Sequence, residues 1–496
     1  MRVNLFLLAL IILSACQQDK GSGKTTEQPT YEAFRSQYHF TPQAGWMNDP
    51  NGMVFYDGEY HLFYQHYPDS TVWGPMHWGH AVSKDLIHWE HLPIALYPDS
   101  LGYVFSGSAV VDWKNTSGFG TAQTPPIVTI YTYHDPVGDR AGRNDFQTQG
   151  IAYSVDKGRS WKKHDKNPVL PNPGIRDFRD PKVSWNEVSN QWVMTLAVKD
   201  HIEFYGSPDL KNWSKLSEFG NSIGAHGGVW ECPDLFPLND EQGNTKWVLL
   251  VSINPGGPQG GSATQYFVGD FDGKNFLPQD TETRWIDYGA DNYAGVTWSD
   301  IPAKDGRRLF IGWMSNWQYA NVVPTKAWRS ATTLPREVTL IKTEQALELK
   351  FKPVAELDSI QGESKMVAGS TKLDHPLSLI TFNLTEDEKA FFLTFTNEGN
   401  EHVTISFQQG VLSFDREHSG IINFSDVFPS VHKMDLGKID VKKVSVYLDL
   451  ASIEIFINEG ERVMTEIVFP TKPYSKVKLE KANPQMNILV ISSTLN

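Results

Sequence analysis

Ser83-Lys84-Asp85-Leu86-Ile87-His88-Trp89 returns as Ser154-Val155-Asp156-Lys157-Gly158-Arg159-Ser160-Trp161 and again as Ser207-Pro208-Asp209-Leu210-Lys211-Asn212-Trp213. Asp270-Phe271-Asp272-Gly273-Lys274-Asn275-Phe276 is a degenerate fourth copy. Aspartate side chains bond back to nearby backbone, so each copy predicts an Asp-initiated turn before an outer strand. Apolar strand segments alternate with these turns, at residues 60–64, 127–131, 192–196, 247–251 and 308–312. Hairpins at intervals of roughly 50–70 residues predict a propeller, one blade each. The expected fold class is all-β, with a five-bladed β-propeller over residues 33–340. Blade loops converge on one axis, so motifs far apart in sequence can meet there. A β-sandwich reading of the same repeats gives no such reason for convergence.

The texture changes after Trp328, the last tryptophan. Residues 390–395, 403–407, 444–448, 453–457 and 486–490 alternate apolar and polar side chains. That pattern predicts a C-terminal antiparallel β-sandwich over 341–496. Leu334-Pro335-Arg336-Glu337 marks the crossing, and 352–364 is the place for a short helix. At the other end, Arg2 precedes an apolar run over 5–13 that is too short to span a bilayer. Leu13-Ser14-Ala15-Cys16 follows. This resembles a bacterial lipoprotein signal over 1–15, with cleavage before Cys16 and a membrane-anchoring lipid on its sulfur. A plain secretory signal with an incidental cysteine is the alternative. Residues 16–32 are polar up to Tyr31 and predict a flexible tether. Gln17 favours sorting to an outer membrane, by analogy with bacterial rules. Cys232, the other cysteine, then has no disulfide partner.

A length of 496 residues suits two or three domains. Hydrophobic content of 40% supports buried cores, and a net charge of −14 argues against nucleic acid as a partner. The same charge suits a soluble protein acting on a neutral polymer. The 16 tryptophans offer faces that stack on sugars, although most tryptophans plug cores.

Trp46-Met47-Asn48-Asp49-Pro50-Asn51-Gly52 gathers an aromatic plate, amides and a carboxylate. Pro50 sets one φ and Gly52 permits a left-handed one, which predicts a turn holding Asp49 between Asn48 and Asn51. Alone, this would be a surface turn. Phe178-Arg179-Asp180-Pro181, alone, would be an ion-paired turn. Trp230-Glu231-Cys232-Pro233-Asp234 adds a third carboxylate motif. Together with Phe105-Ser106-Gly107-Ser108, Trp73-Gly74-Pro75-Met76-His77-Trp78-Gly79-His80 and Gly312-Trp313-Met314-Ser315-Asn316-Trp317, they resemble glycoside hydrolase family 32, the fructan hydrolases, levanases, inulinases and invertases. The motifs span about residues 37–340. The family's layout is a five-bladed propeller joined to a C-terminal sandwich.

The resemblance implies Asp49 as nucleophile, Glu231 as general acid/base and Asp180 as transition-state stabiliser in a retaining hydrolysis of fructans or sucrose. It implies a fructosyl pocket lined by Trp46, Asn48, Gln65, Trp73, Phe105, Ser106, Arg179, Trp317 and Trp313. Amide donors around Asp49 favour its ionised form. Trp230, Cys232 and Pro233 are apolar neighbours expected to keep Glu231 protonated. No cofactor and no metal are expected: His77, His80, His88 and His91 fit no ligand spacing. Asp135 and Asp234 receive no chemical role. The residues around Trp317 and Trp328 resemble microbial exo-fructanases, whereas endo action needs an open cleft that sequence does not display. A five-bladed arabinosidase or xylosidase, and a non-catalytic glycan-binding lipoprotein, are the other readings. The first lacks the Trp-Met-Asn-Asp-Pro-Asn-Gly and Glu-Cys-Pro elements. The second gives no reason for all three carboxylates to be kept.

Overall fold

The structure is a computed structural model and describes residues 32–121, 123–385, 390–481 and 487–493. The expected signal segment, Cys16 and nearly all of the expected tether lie outside the described residues. Each repeated turn forms as its aspartate requires. Asp85 Oδ1 accepts the N–H groups of Ile87 and His88 at 3.0 and 2.8 Å. Asp209 does the same for Lys211 and Asn212, and Asp272 for Lys274 and Asn275. The indoles of Trp89, Trp161 and Trp213 each donate to the carbonyl three residues back, which pins the next strand to the turn.

Five sheets of four or five strands follow one another along the chain. Their inner strands are β1 (Gly45–Tyr56), β2 (Tyr103–Val111), β3 (Phe178–Asn186), β4 (Val229–Asn239) and β5 (Tyr293–Thr297). These pack side by side in chain order, and β5 returns to β1, so the sheets stand as blades around one axis. Gly45 and Trp46 pair in parallel with Trp328 and Arg329, so a segment beyond the fifth inner strand completes the first blade.

Every inner strand carries a bulge in its first half. Two residues oppose one between Met47 and Pro50, Val104 and Gly107, Arg179 and Lys182, Glu231 and Asp234, and Tyr293 and Val296. Such a bulge bends the strand and re-aims its side chains. The expected turn at Asp49-Pro50-Asn51-Gly52 is therefore corrected. The tetrapeptide runs inside β1, with a second register break between Asn51 and Val54. Gly52 is needed twice over: its φ is +56°, and a Cβ there would meet Trp78 at 2.6 Å and Phe63 at 2.8 Å.

The fifth sheet continues through Arg336–Lys342 and Leu347–Pro353. The expected domain boundary at 340 thus falls inside a propeller strand. These outer strands are half-exposed and alternate in polarity, which makes them read like sandwich strands. A 3-10 helix, Ala355–Ile360, follows. Two six-stranded sheets then close over an apolar core that includes Phe391, Ile405, Val446 and Ile455. Among the described residues, no helix is long and apolar enough to cross a membrane.

Buried ions join sandwich to propeller. Arg336, fully buried, places its guanidinium 3.0 Å from Asp287 and 2.5 Å from Glu454. His39 bridges Glu454 and Asp449 at 2.8 and 2.7 Å. Burial opposes a charged imidazole, but the two carboxylates outweigh it and hold the pKa up at about 9. Arg416 reaches Asp291 at 2.8 Å and the Tyr319 hydroxyl at 3.1 Å. Asp291 lies two residues before Tyr293, so the sandwich anchors the start of β5.

Candidate active site

The bulges of β1 to β4 put their residues at one end of the axis, around a cavity of about 400 Å³. Asn48, Asp49 and Gln65 line it from the first blade, and Phe105 and Ser106 from the second. Arg179 and Asp180 come from the third, Glu231 from the fourth and Trp317 from the fifth, with Trp73 at the rim. Asp180 and Cys232 hold positive φ, +63° and +44°. Aspartate tolerates that conformation; for a cysteine it is strained and is held by its surroundings.

The carboxyl groups share partners. Ser106 Oγ donates to Asp49 Oδ2 at 3.1 Å. The Cys232 N–H donates to Asp180 Oδ2 at 3.1 Å, and its thiol lies 3.6 Å from Asp49 and 3.7 Å from Asp180. Burial and the surrounding carboxyls push that thiol pKa well up, so Cys232 is a neutral donor and not a nucleophile. Arg179 donates to Glu231 at 2.8 Å and to Asp177 at 2.7 Å. The Tyr293 hydroxyl also bonds Glu231. Gln65, buried opposite the β1 bulge, donates to the Val104 carbonyl at 3.1 Å.

The electrostatics differ from the sequence expectation. Burial, and then the Glu231 carboxyl nearby, raise the Asp49 pKa to about 6, against the pull of Asn48 and Ser106. Burial raises Asp180 as well; Arg179 opposes this, while Glu231 and Asp49 add to it. The polar sequence around Asp49 therefore does not keep its pKa low. The apolar neighbours of Glu231 do not enclose its carboxyl either. Trp230 packs away from it, the Cys232 thiol turns to Asp49 and Asp180, and the carboxyl meets Arg179 and Tyr293 instead. Arg179 spends its hydrogen bonds on Glu231 and Asp177 and stays 3.9 Å from Asp180.

Trp46 and Trp313 do not line the cavity. Both are fully buried behind it. Trp46 stacks on Trp317 at 5.8 Å and donates its indole N–H to Asn48 at 2.7 Å. It thus positions two residues that do face the cavity. Sequence reasoning passed over Tyr293, His134, Arg176 and Asn321. Tyr293 stands just before the bulge of the fifth inner strand, as Glu231 does in the fourth, and blade-by-blade alignment would have found it. Phe105 stacks on His134 at 4.3 Å. Asp135 caps the short helix Pro136–Arg140.

His77 and His88 bond the Pro75 carbonyl and Asp85. Among the described residues, His201, Glu203 and Glu218 bring possible ligand atoms within 4.8 Å of one another. The Lys215 ammonium already lies among them, 2.6 Å from Glu203 and 3.2 Å from Glu218. That cluster is an ion pair on the third blade, away from the cavity.

Acidic side chains gathered in one pocket of a five-bladed propeller fit a glycoside hydrolase. The sequence matches the glycosyl hydrolases family 32 N-terminal domain over residues 39–353 and the family's C-terminal domain over 344–493. A levanase of Bacillus subtilis is 48% identical over 474 residues, covering 91% of this chain and 69% of that protein. The crystal structure of exo-inulinase from Aspergillus awamori superposes with a TM-score of 0.86 at 34% identity, covering 94% of this chain and 99% of that one. A β-fructofuranosidase from Schwanniomyces occidentalis, complexed with fructosyl-erythritol, gives 0.82 at 34% identity over 93% and 98% of the two chains. The chain belongs to glycosyl hydrolases family 32.

Proposed function

We propose that the protein hydrolyses β-D-fructofuranosyl linkages with retention, taking terminal fructose from levan or inulin and splitting sucrose. The convergence of Asp49, Asp180 and Glu231 on one cavity carries this reading. The substrates named for the levanase and exo-inulinase relatives support its fructan side. Two bridges across the rim favour a pocket for chain ends. Asp139 of the second blade pairs with Arg176 before the third at 2.7 Å. The Trp73 backbone N–H donates to the Asn321 side chain of the fifth at 2.9 Å. Free fructose as the first product from levan fits this reading; a ladder of oligosaccharides makes the enzyme endo-acting.

The chemistry follows from the cluster. Burial and the mutual repulsion of the carboxyls, which the Arg179 guanidinium only partly offsets, let the group retain a proton near neutral pH. Glu231 gives a proton to the glycosidic oxygen as the bond to C2 of the fructosyl ring breaks. Asp49 attacks C2 and forms an ester. Asp180 accepts hydroxyl hydrogen bonds from the ring and stabilises its positive charge. Glu231 then takes a proton from water, which attacks C2 and frees Asp49. Two inversions give net retention. Proton NMR of the first fructose formed is expected to show the β-anomer, and initial appearance of the α-anomer would falsify the nucleophile role.

Asp49 must be ionised to attack. The pKa of about 6 therefore predicts that kcat/KM falls as pH drops through that value. Ser106→Ala removes a donor to the ionised form, so the Asp49 pKa rises. The acid limb should move up on the order of one unit, with more activity lost at pH 5 than at pH 7. A limb that stays in place or moves down assigns it to another group.

We also place the protein on an outer membrane through a lipid on Cys16. The apolar run ending at Leu13-Ser14-Ala15-Cys16 supports this. In fractionated cells, Cys16→Ala is expected to leave the membrane fraction with activity intact. Retention in the membrane like the unmodified protein removes the anchor.

A further inference from the structure

The opposite end of the propeller axis carries a second cavity, of about 420 Å³. It sits at the carboxyl ends of the inner strands. Val111 of β2, Ser184 of β3 and Leu235 of β4 help to form its wall. Asp180, which lines the first cavity, and Ser184, which lines the second, are four residues and so roughly 13 Å apart along β3. Lys182 and Asp234 stand 3.3 Å apart in the lining of the second cavity, and both bond Thr297.

Four indoles line this cavity: Trp113, Trp185, Trp192 and Trp247. Trp113 is 58% exposed, a large apolar face left open to solvent. Its N–H donates to Asp300 at 2.9 Å, which holds the plate at the rim. The charges of the lining balance, with Lys114, Lys182 and Arg308 against Glu187, Asp234 and Asp300. Two buried polar atoms of lining residues have no partner among the described residues. One is Asp234 Oδ1, on a fully buried side chain; the other is the Trp185 indole N–H. Buried polar groups are ordinarily bonded, so an unmet acceptor and an unmet donor among the lining residues of one cavity point to a ligand with hydroxyl groups. Aromatic faces suit the apolar side of a sugar ring, and charge balance disfavours a phosphate or carboxylate ligand.

We propose that this cavity is a second, non-catalytic saccharide site that holds fructosyl units of the polymer while the first cavity cuts. The proposal rests on the fructan reading for the identity of its sugar. Equilibrium dialysis of Asp49→Asn protein, which should not consume the probe, is run with an inulin-type oligosaccharide. It is expected to count two sites per chain. Adding Trp113→Ala, or Ser184→Trp to fill the cavity, should leave one. Trp113→Ala alone should hydrolyse sucrose at the unmodified rate and be retarded less than the unmodified protein in a levan-containing native gel. One site in the Asp49→Asn protein, or two that survive both substitutions, overturns the proposal. Failure of the unmodified protein to turn over sucrose overturns the catalytic reading alone.

Discussion

Asp49→Ala and Glu231→Ala are each expected to lower kcat/KM on sucrose by at least about 10⁴-fold, the scale on which loss of a covalent or proton-transfer catalyst acts. The two losses should differ in kind. Without Asp49 no fructosyl ester forms. Without Glu231 the ester can still form from a fructoside with a good leaving group, and its hydrolysis then lacks a base. Intact-mass spectrometry of Glu231→Ala after such a substrate should show protein carrying one fructosyl unit, whereas Asp49→Ala should show none. Stability should not fall with Asp49→Ala. Burial and Glu231 both oppose that carboxylate's charge, so its removal relieves repulsion. A variant that keeps a tenth of the activity, or an adduct on Asp49→Ala, sinks the assignment.

Arg336→Ala should be among the most damaging changes away from the pocket. It leaves Asp287 and Glu454 buried without their cation, while His39 still holds the far side of Glu454. Breaking a buried pair from one side costs about 3–5 kcal/mol. In urea, the unfolding midpoint should drop accordingly. Arg336→Met, which keeps the packing but not the charge, should recover little, because the carboxylates remain. A loss below roughly 1 kcal/mol, the level of a surface ion pair, means the network is screened by water.

The blade rhythm was legible because each turn carries its own local chemistry, from Asp85 through Asp209 to the indole bonds of Trp89 and Trp213. The three carboxylates were legible because each lies in a short motif. The bulges were not. A bulge depends on the partner strand, and nothing in Asn48-Asp49 shows that only Gln65 opposes it. Missing the bulges meant missing where side chains point. Trp46 and Trp313 were placed on the cavity wall, although they stand behind it. Glu231 was surrounded by its sequence neighbours rather than by Arg179 and Tyr293. The boundary near Pro353 was hidden for a similar reason. An outer propeller strand and a sandwich strand bury one face alike, so alternation does not tell them apart.

The parallel pairing of Gly45 and Trp46 with Trp328 and Arg329 sets an order of events for a chain made from its N-terminus. Trp46 leaves the ribosome among the first folded residues, yet its ring partners Trp313 and Trp317 emerge some 270 residues later. At about 5–20 residues per second of synthesis, the first blade waits many seconds for the last. During that interval its edge and its aromatic face are open to chaperones or to an export channel. Shortened products that end before residue 328 should stay soluble only while a holdase covers them. A pulse-labelled truncation at 300 that resists protease as well as the full chain does would show that the blade closes early.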